Sequence, residues 1–154
     1  MHDRRAFLLT AGLAALTLAV AVRWAAATFG QVAPDGMAKA VKADDIKWKW
    51  EPLGDSGVEI SILYTNPTTQ ATYLVIRNPA NQHVPRHWHS SNESITVLKG
   101  TFEVAHYGSD DKTVLTPGGF VYMPAKMIHE AWAGAEGATY FITVDGKWDV
   151  NFVK

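Results

Sequence analysis

A chain of 154 residues with 47% hydrophobic and 19% charged residues has the length and composition of one folded domain rather than a disordered segment. Its formal net charge is −1 and no Lys/Arg cluster follows the N-terminal arginines, so nucleic-acid binding has no electrostatic footprint. There is no cysteine, which excludes disulfides, thiolate metal sites and a cysteine nucleophile.

The N-terminus reads as an address rather than as fold. Arg4-Arg5-Ala6-Phe7-Leu8-Leu9 precedes an apolar run from Ala11 to Val22, and Ala25-Ala26-Ala27 offers a small-residue cleavage site. A charged start, a short apolar segment and an A-x-A exit describe a signal peptide over residues 1–27. The arginine pair followed by Ala6 and Phe7-Leu8 resembles the bacterial twin-arginine export signal. Asp3 stands where Ser or Thr is usual, Leu9 where a polar residue is usual, and Arg23 is an unusual follower of the apolar run. The alternative is an uncleaved membrane anchor, for which Ala6 to Val22 is about the minimum spanning length. The resemblance implies a periplasmic or secreted protein, exported already folded, with any metal loaded before export.

Residues 28–45, with Pro34, Asp35-Gly36 and scattered lysines, are expected to form a linker or arm before a single domain at 46–154. No helical period persists beyond Gly36–Ala43. Ile46-Lys47-Trp48-Lys49-Trp50 alternates apolar and basic residues, as an edge strand with outward lysines does. Short strands are then expected at Val58–Tyr64, Ala71–Asn78, His87–His89, Glu93–Leu98, Thr101–Tyr107, Thr113–Leu115, Gly119–Met123, Ile128–Ala133, Ala138–Val144 and Trp148–Val153. Turn signals separate them, among them Asn66-Pro67, Asn78-Pro79, Lys99-Gly100, Pro117-Gly118-Gly119, Gly134 to Gly137 and Asp145-Gly146. Many short strands at regular spacing make an all-β sandwich or barrel.

The chemistry is concentrated at His87-Trp88-His89-Ser90-Ser91-Asn92-Glu93. Histidines two apart on a strand share a face, so His87 and His89 point inward together while Trp88 faces away. Glu93 follows a Ser-Ser-Asn turn that can return its carboxylate to the same place, and His129 would arrive from a later strand. Glu130, next to His129, should point outward. Three imidazoles and one carboxylate suit a divalent transition metal with positions left open for substrate.

The two histidine segments resemble those of the cupin superfamily. In its first motif, G-x(5)-H-x-H-x(3,4)-E-x(6)-G, this chain supplies His87, His89, Glu93 and Gly100, with Asn81 at the opening glycine position. In the second, G-x(5)-P-x-G-x(2)-H-x(3)-N, it supplies Gly118, Pro124 and His129, with Lys126 for the glycine and Ala133 for the asparagine. Neither departure removes a ligand; Lys126 bears on the turn before His129, and Ala133 on one strand-end hydrogen bond. The resemblance implies a single-domain cupin-type β-barrel, a double-sheet jelly roll, with metal ligands His87, His89, Glu93 and His129. Glu93 is placed as a ligand, or alternatively as a nearby base and so the catalytic residue. The metal is one of Fe, Mn, Ni, Zn or Cu.

The expected activity is that of a metal-dependent oxygenase or oxidase acting on a small oxygen-bearing substrate. The alternatives are an isomerase or lyase using Glu93 or His83 as base, and a non-catalytic metal- or ligand-binding module. His83 and His106 are expected to be structural, with His83 nearer the mouth. Of the aromatics Tyr73, Phe102, Tyr122, Trp132 and Phe141, most are expected in the core. A homodimer is implied, with Trp88 and the Trp48/Trp50 segment as contacts, unless those two tryptophans cover an end of their own barrel. A small molecule is the expected partner, with no nucleic acid, and the membrane enters only through export or an anchor.

Overall fold

A computed structural model describes residues 38–109 and 111–154. The signal peptide or anchor expected at residues 1–27, and the arm up to residue 37, lie outside these residues. A single 3-10 turn, Ala43–Asp45, precedes nine strands. These are β1 (Lys49–Glu51), β2 (Val58–Thr65), β3 (Thr72–Asn78), β4 (His83–Trp88), β5 (Glu93–His106), β6 (Thr113–Leu115), β7 (Phe120–Met123), β8 (His129–Val144) and β9 (Asn151–Phe152). All pairings are antiparallel. The architecture is an all-β double-sheet jelly roll.

Two long strands make the two sheets from one ladder. The C-terminal half of β8 pairs with β3 and with the start of β5, giving the order β1-β2-β3-β8-β5-β7. The N-terminal half of β8 pairs with β4 and with the end of β5, giving β9-β4-β8-β5-β6. Both β5 and β8 therefore belong to both sheets and curl the ladder into a half-barrel.

This corrects one expectation. Lys99-Gly100 and Gly134 to Gly137 were expected to be turns between separate strands, but both lie inside continuous strands. The strands bend without parting, through register shifts at Val97/Lys99 and Gly100/Phe102. Gly100 has φ +76°, and a Cβ there would stand 2.1 Å from the Gly137 carbonyl oxygen. Two strands can cross this closely only where the side chain is absent. Bulges of this kind sharpen the local twist, as barrel corners require.

Alternation decides the core. On β2, β3, β5 and β8 the residues Val58, Ile60, Leu74, Ile76, Ile95, Val97, Phe102, Val104, Tyr140 and Ile142 are buried. Each such aliphatic or aromatic side chain is worth about 1.5–3 kcal/mol relative to exposure. Truncating the fully buried Leu74 to alanine would cost about 2–5 kcal/mol. The opposite parity carries Tyr73, Phe120 and Tyr122 outward, while Ile62 is exposed at the register shift of β2 although it shares parity with Val58 and Ile60, so the expectation that most of the named aromatics fill the core is not met. Phe102 is in the core, at 1% exposure, whereas Tyr73 and Tyr122 are 40% and 52% exposed. Trp132 lies half-buried on the outer surface.

Of the edge strand expected at residues 46–50 only Lys49 and Trp50 lie in a strand, β1, which pairs with β2, and both are exposed instead of alternating. Trp48 packs under the Arg77 guanidinium, 4.4 Å from the ring centroid, while Trp50 remains exposed.

Candidate metal centre

His87 sits on β4 directly opposite His129 at the start of β8, and the two rings are 4.2 Å apart. His89 follows β4 immediately, its ring 5.1 Å from His87 and 5.2 Å from His129. Glu93 opens β5, with Oε2 3.3 Å from His89 Nε2 and 3.9 Å from His129 Nε2. All four side chains are buried. Among the described residues, His87, His89 and His129 form one group whose ligand atoms lie within 4.8 Å of one another. Nitrogen–metal bonds of about 2.0–2.2 Å bridge such a group after a small contraction.

The hydrogen bonds fix which nitrogens face inward. His87 Nδ1 donates to the Pro85 carbonyl at 2.7 Å, His129 Nδ1 to the Met127 carbonyl at 3.0 Å, and His89 Nδ1 to the Asp149 carbonyl. A carbonyl can only accept, so each neutral ring carries its proton on Nδ1 and turns the Nε2 lone pair toward the cavity. Three lone pairs and a carboxylate then converge with no protein donor among them. Burial holds His87 far below its ordinary value, down to about 3, with the neighbouring His129 adding to the effect. His89 and His129 are also lowered, chiefly by burial. Burial pushes the Glu93 carboxyl up to about 7, against a downward pull from His129. The three imidazoles resist protonation and so keep their lone pairs for a cation, while Glu93, uncomfortable as a buried carboxylate, gains from having one beside it. The donor set fits a divalent transition metal.

The turns that deliver these residues explain the motif positions. Asn81 and Lys126, which stand where the cupin pattern has glycine, have φ +58° and +66°, and Gly118 has φ +87°. The left-handed backbone is thus retained at both positions without glycine. At Lys126 it allows the backbone N–H to donate to the His89 carbonyl at 2.8 Å, which ties the turn before His129 to the other ligand segment. Asn92 Oδ1 adds a bond from Ala125 N–H at 2.9 Å.

The Ser-Ser-Asn turn is stitched to the segment between β8 and β9. Asp149 accepts from Ser90 N–H at 2.8 Å and from Ser90 Oγ at 2.6 Å. Asp145 accepts from Asn92 N–H at 3.0 Å and from its side-chain amide. Ser91 Oγ donates to the Lys147 carbonyl. This strap carries Trp148 and Val150 into the wall of a cavity of about 40 Å³ shared with the three imidazoles and Glu93. The sequence marked Asp145-Gly146 only as a turn and Trp148–Val153 as a strand, of which only Asn151–Phe152 forms one, and it gave no site role to Asp145, Asp149 or Trp148. The only signal was the polarity of Ser90-Ser91-Asn92, which needs partners.

His83 is not at the mouth. A register shift between Val84 and His87 reverses the alternation, so His83 and His87, four residues apart, face opposite ways. His83 stacks on Trp132 with ring centroids 5.0 Å apart, and its Nε2 lies 3.1 Å from Glu130 Oε2. Glu130 points outward and also accepts from Arg86 at 2.6 Å. Trp88 is half-buried between the two buried histidines, facing away from them. His106 is exposed at the end of β5, opposite His129.

A curled jelly roll with three inward imidazoles at one end defines a cupin. The chain belongs to the ChrR cupin-like domain family, which matches residues 38–147. Among solved structures, the polyketide cyclase RemF from Streptomyces resistomycificus superposes with a TM-score of 0.66 at 18% identity, covering 77% of this chain and 87% of that one. A protein from Methylibium petroleiphilum PM1, provisionally described as an acetylacetone dioxygenase, superposes with a TM-score of 0.62 at 19% identity, covering 77% and 82%. These identities establish the fold alone. The DNA damage-repair/toleration protein DRT102 of Arabidopsis thaliana is 28% identical over 94 residues, which are 61% of this chain and 29% of that protein. The chain thus spans under a third of that relative's length.

Proposed function

We propose that this chain is an exported, mononuclear metal-dependent cupin enzyme, an oxygenase or oxidase of a small oxygen-bearing substrate. His87, His89, His129 and Glu93 would hold one divalent transition metal. The observation that carries the reading is the convergence of four buried acceptors, each imidazole locked by its own Nδ1 bond, in a cavity with space beside them. Bound there, the metal supplies Lewis acidity and a template for substrate and dioxygen. The protein's own part is to orient the ligands, exclude bulk water and hold a proton. Glu93 either completes the ligand set or, if it is off the metal, serves as the base beside His89. The apolar wall of Val84, Ile95, Phe102 and Ile142 limits bulk water at the site.

The cavity of about 40 Å³ admits roughly three waters, so it takes the oxygen-bearing head of a substrate rather than a large molecule. The fold it shares with a protein provisionally described as an acetylacetone dioxygenase supports this reading. The test is elemental analysis of protein from its native compartment, then anaerobic binding of small diketones and carboxylates followed by oxygen uptake. Metal-replete protein that consumes no oxygen with any of them refutes the oxygenase reading.

Two other readings have observations in their favour. The small cavity suits a metal- or ligand-binding module without turnover, and the fold shared with a polyketide cyclase suits an isomerase or lyase with Glu93 as base. Tight stoichiometric binding without turnover selects the first, and turnover without oxygen the second. Export rests on Arg4 and Arg5; replacing both with lysine should stop it. The outward Ile62, Tyr73, Phe120 and Tyr122 support a homodimer through this outer sheet, which gel filtration tests.

A further inference from the structure

The strap between β8 and β9 is held more firmly than its lack of secondary structure suggests. Asp145 and Asp149 each take two hydrogen bonds from the turn joining His89 to Glu93, and Gly146 passes so close to Ser91 that a Cβ would meet its Oγ at 2.5 Å. Strap and ligand turn form one unit, and that unit places Trp148 against the core and in the cavity wall. Nevertheless, Trp148 Nε1 is buried without a hydrogen-bond partner. A buried N–H left unpaired costs about 1–3 kcal/mol, and an indole N–H can only donate.

The other polar groups of the cavity wall cannot take that role. The three Nε2 atoms and the Glu93 carboxylate are acceptors in the metal-ready state. Tyr140, the remaining polar side chain there, donates its hydroxyl to Asn78 Oδ1 at 3.0 Å. Trp148 is therefore the one uncommitted side-chain donor among the described residues lining the cavity.

We propose that Trp148 Nε1–H orients the ligand by donating to an oxygen of a small carboxylate or enolate held beside the three imidazoles. This rests on the metal-site reading above and adds the ligand class: a compact anion with an acceptor oxygen to spare beyond the one at the metal. Trp148 is thus a positioning and specificity residue carried by the strap.

Acetate is the probe, added to the metal-loaded full chain. In the Zn(II)-loaded protein the Trp148 indole N–H resonance, identified by its loss in Trp148→Phe, should shift as acetate is titrated. In the Co(II)-loaded protein the visible absorption reports acetate affinity, which Trp148→Phe should weaken about tenfold while metal content stays at one per chain. An indole signal that stays still while acetate binds overturns the proposal, as does a Trp148→Phe protein with unchanged acetate affinity. Acetate that does not bind the metal-loaded wild type overturns it as well. If Trp148→Phe fails to fold, selective 15N labelling of the six tryptophans identifies the shifting indole by its proximity to the Val150 methyls, and the same shift decides. A wild-type chain that takes up no metal is a different result: it refutes the metal centre itself, and the ligand assignment with it.

Discussion

Replacing Lys126 with glycine should stabilise the protein, although it deletes a charged side chain and shortens nothing else. Lys126 has φ +66°, in the left-handed region that costs a residue with a Cβ about 1–2 kcal/mol. Its side chain is exposed, and the bond that matters, from its backbone N–H to the His89 carbonyl, survives in glycine. Against the relief stands the extra chain entropy of glycine in the unfolded state, about 0.5–1 kcal/mol. The difference favours Lys126→Gly by roughly 0.5–1 kcal/mol, and urea melts of metal-free protein should show the midpoint rising by about 0.5 M. Lys126→Ala is the control, because alanine keeps the strain while removing the same charge. It should fall about 1 kcal/mol below Lys126→Gly. Asn81→Gly should gain only a few tenths, since asparagine tolerates this conformation. A Lys126→Gly protein no more stable than Lys126→Ala would refute the strain argument.

His87→Ala and His129→Ala should each abolish stoichiometric metal binding, and full occupancy by elemental analysis in either would disprove the proposed ligand set. For Glu93, the folded carboxyl titrates near 7 against an ordinary 4.5, so its burial is harmless below pH 4.5 and costs stability as pH rises through 7. Metal-free Glu93→Gln should therefore match wild type at pH 4.5 and exceed it at pH 8, by up to about 3 kcal/mol in denaturant melts. The buried histidines act oppositely: with His87 lowered to about 3, stability is complete above pH 6.5 and declines as pH falls toward 3. The same Glu93→Gln melts at pH 4 separate this decline from the glutamate's contribution. Gly100→Ala should cost about 2–5 kcal/mol, seen as a lower Tm, because its Cβ would strike the Gly137 carbonyl from a positive-φ position. Asp145→Ala should lose about 1–3 kcal/mol, as Asn92 N–H and its amide lose their acceptor, while metal content stays at one per chain.

The strands and the convergence of His87, His89, Glu93 and His129 were legible because alternation and motif spacing are local. What was not legible depended on distant pairing. Lys99-Gly100 has the composition of a turn, and only the neighbouring strand's Gly137 shows that it is a bend. His83 shares parity with His87 on paper, and a bulge opposite β8 reverses it. Tyr73 and Tyr122 have core chemistry, yet their parity relative to Leu74 and Met123 sends them outward. The strap was hidden for a simpler reason: Asp145 and Asp149 are ordinary turn residues until Ser90 and Asn92 are folded beneath them.

The bond from His89 to the Asp149 carbonyl spans sixty residues. During synthesis, His87 and His89 emerge long before Asp149, whose carbonyl fixes the second ring. A chain that ends at β5 contains the Pro85 carbonyl that fixes His87 but lacks the Asp149 carbonyl that fixes His89. The orientation of His89 therefore waits on the strap that precedes the last strand, and the proposed metal site is complete only once nearly the whole domain has been made.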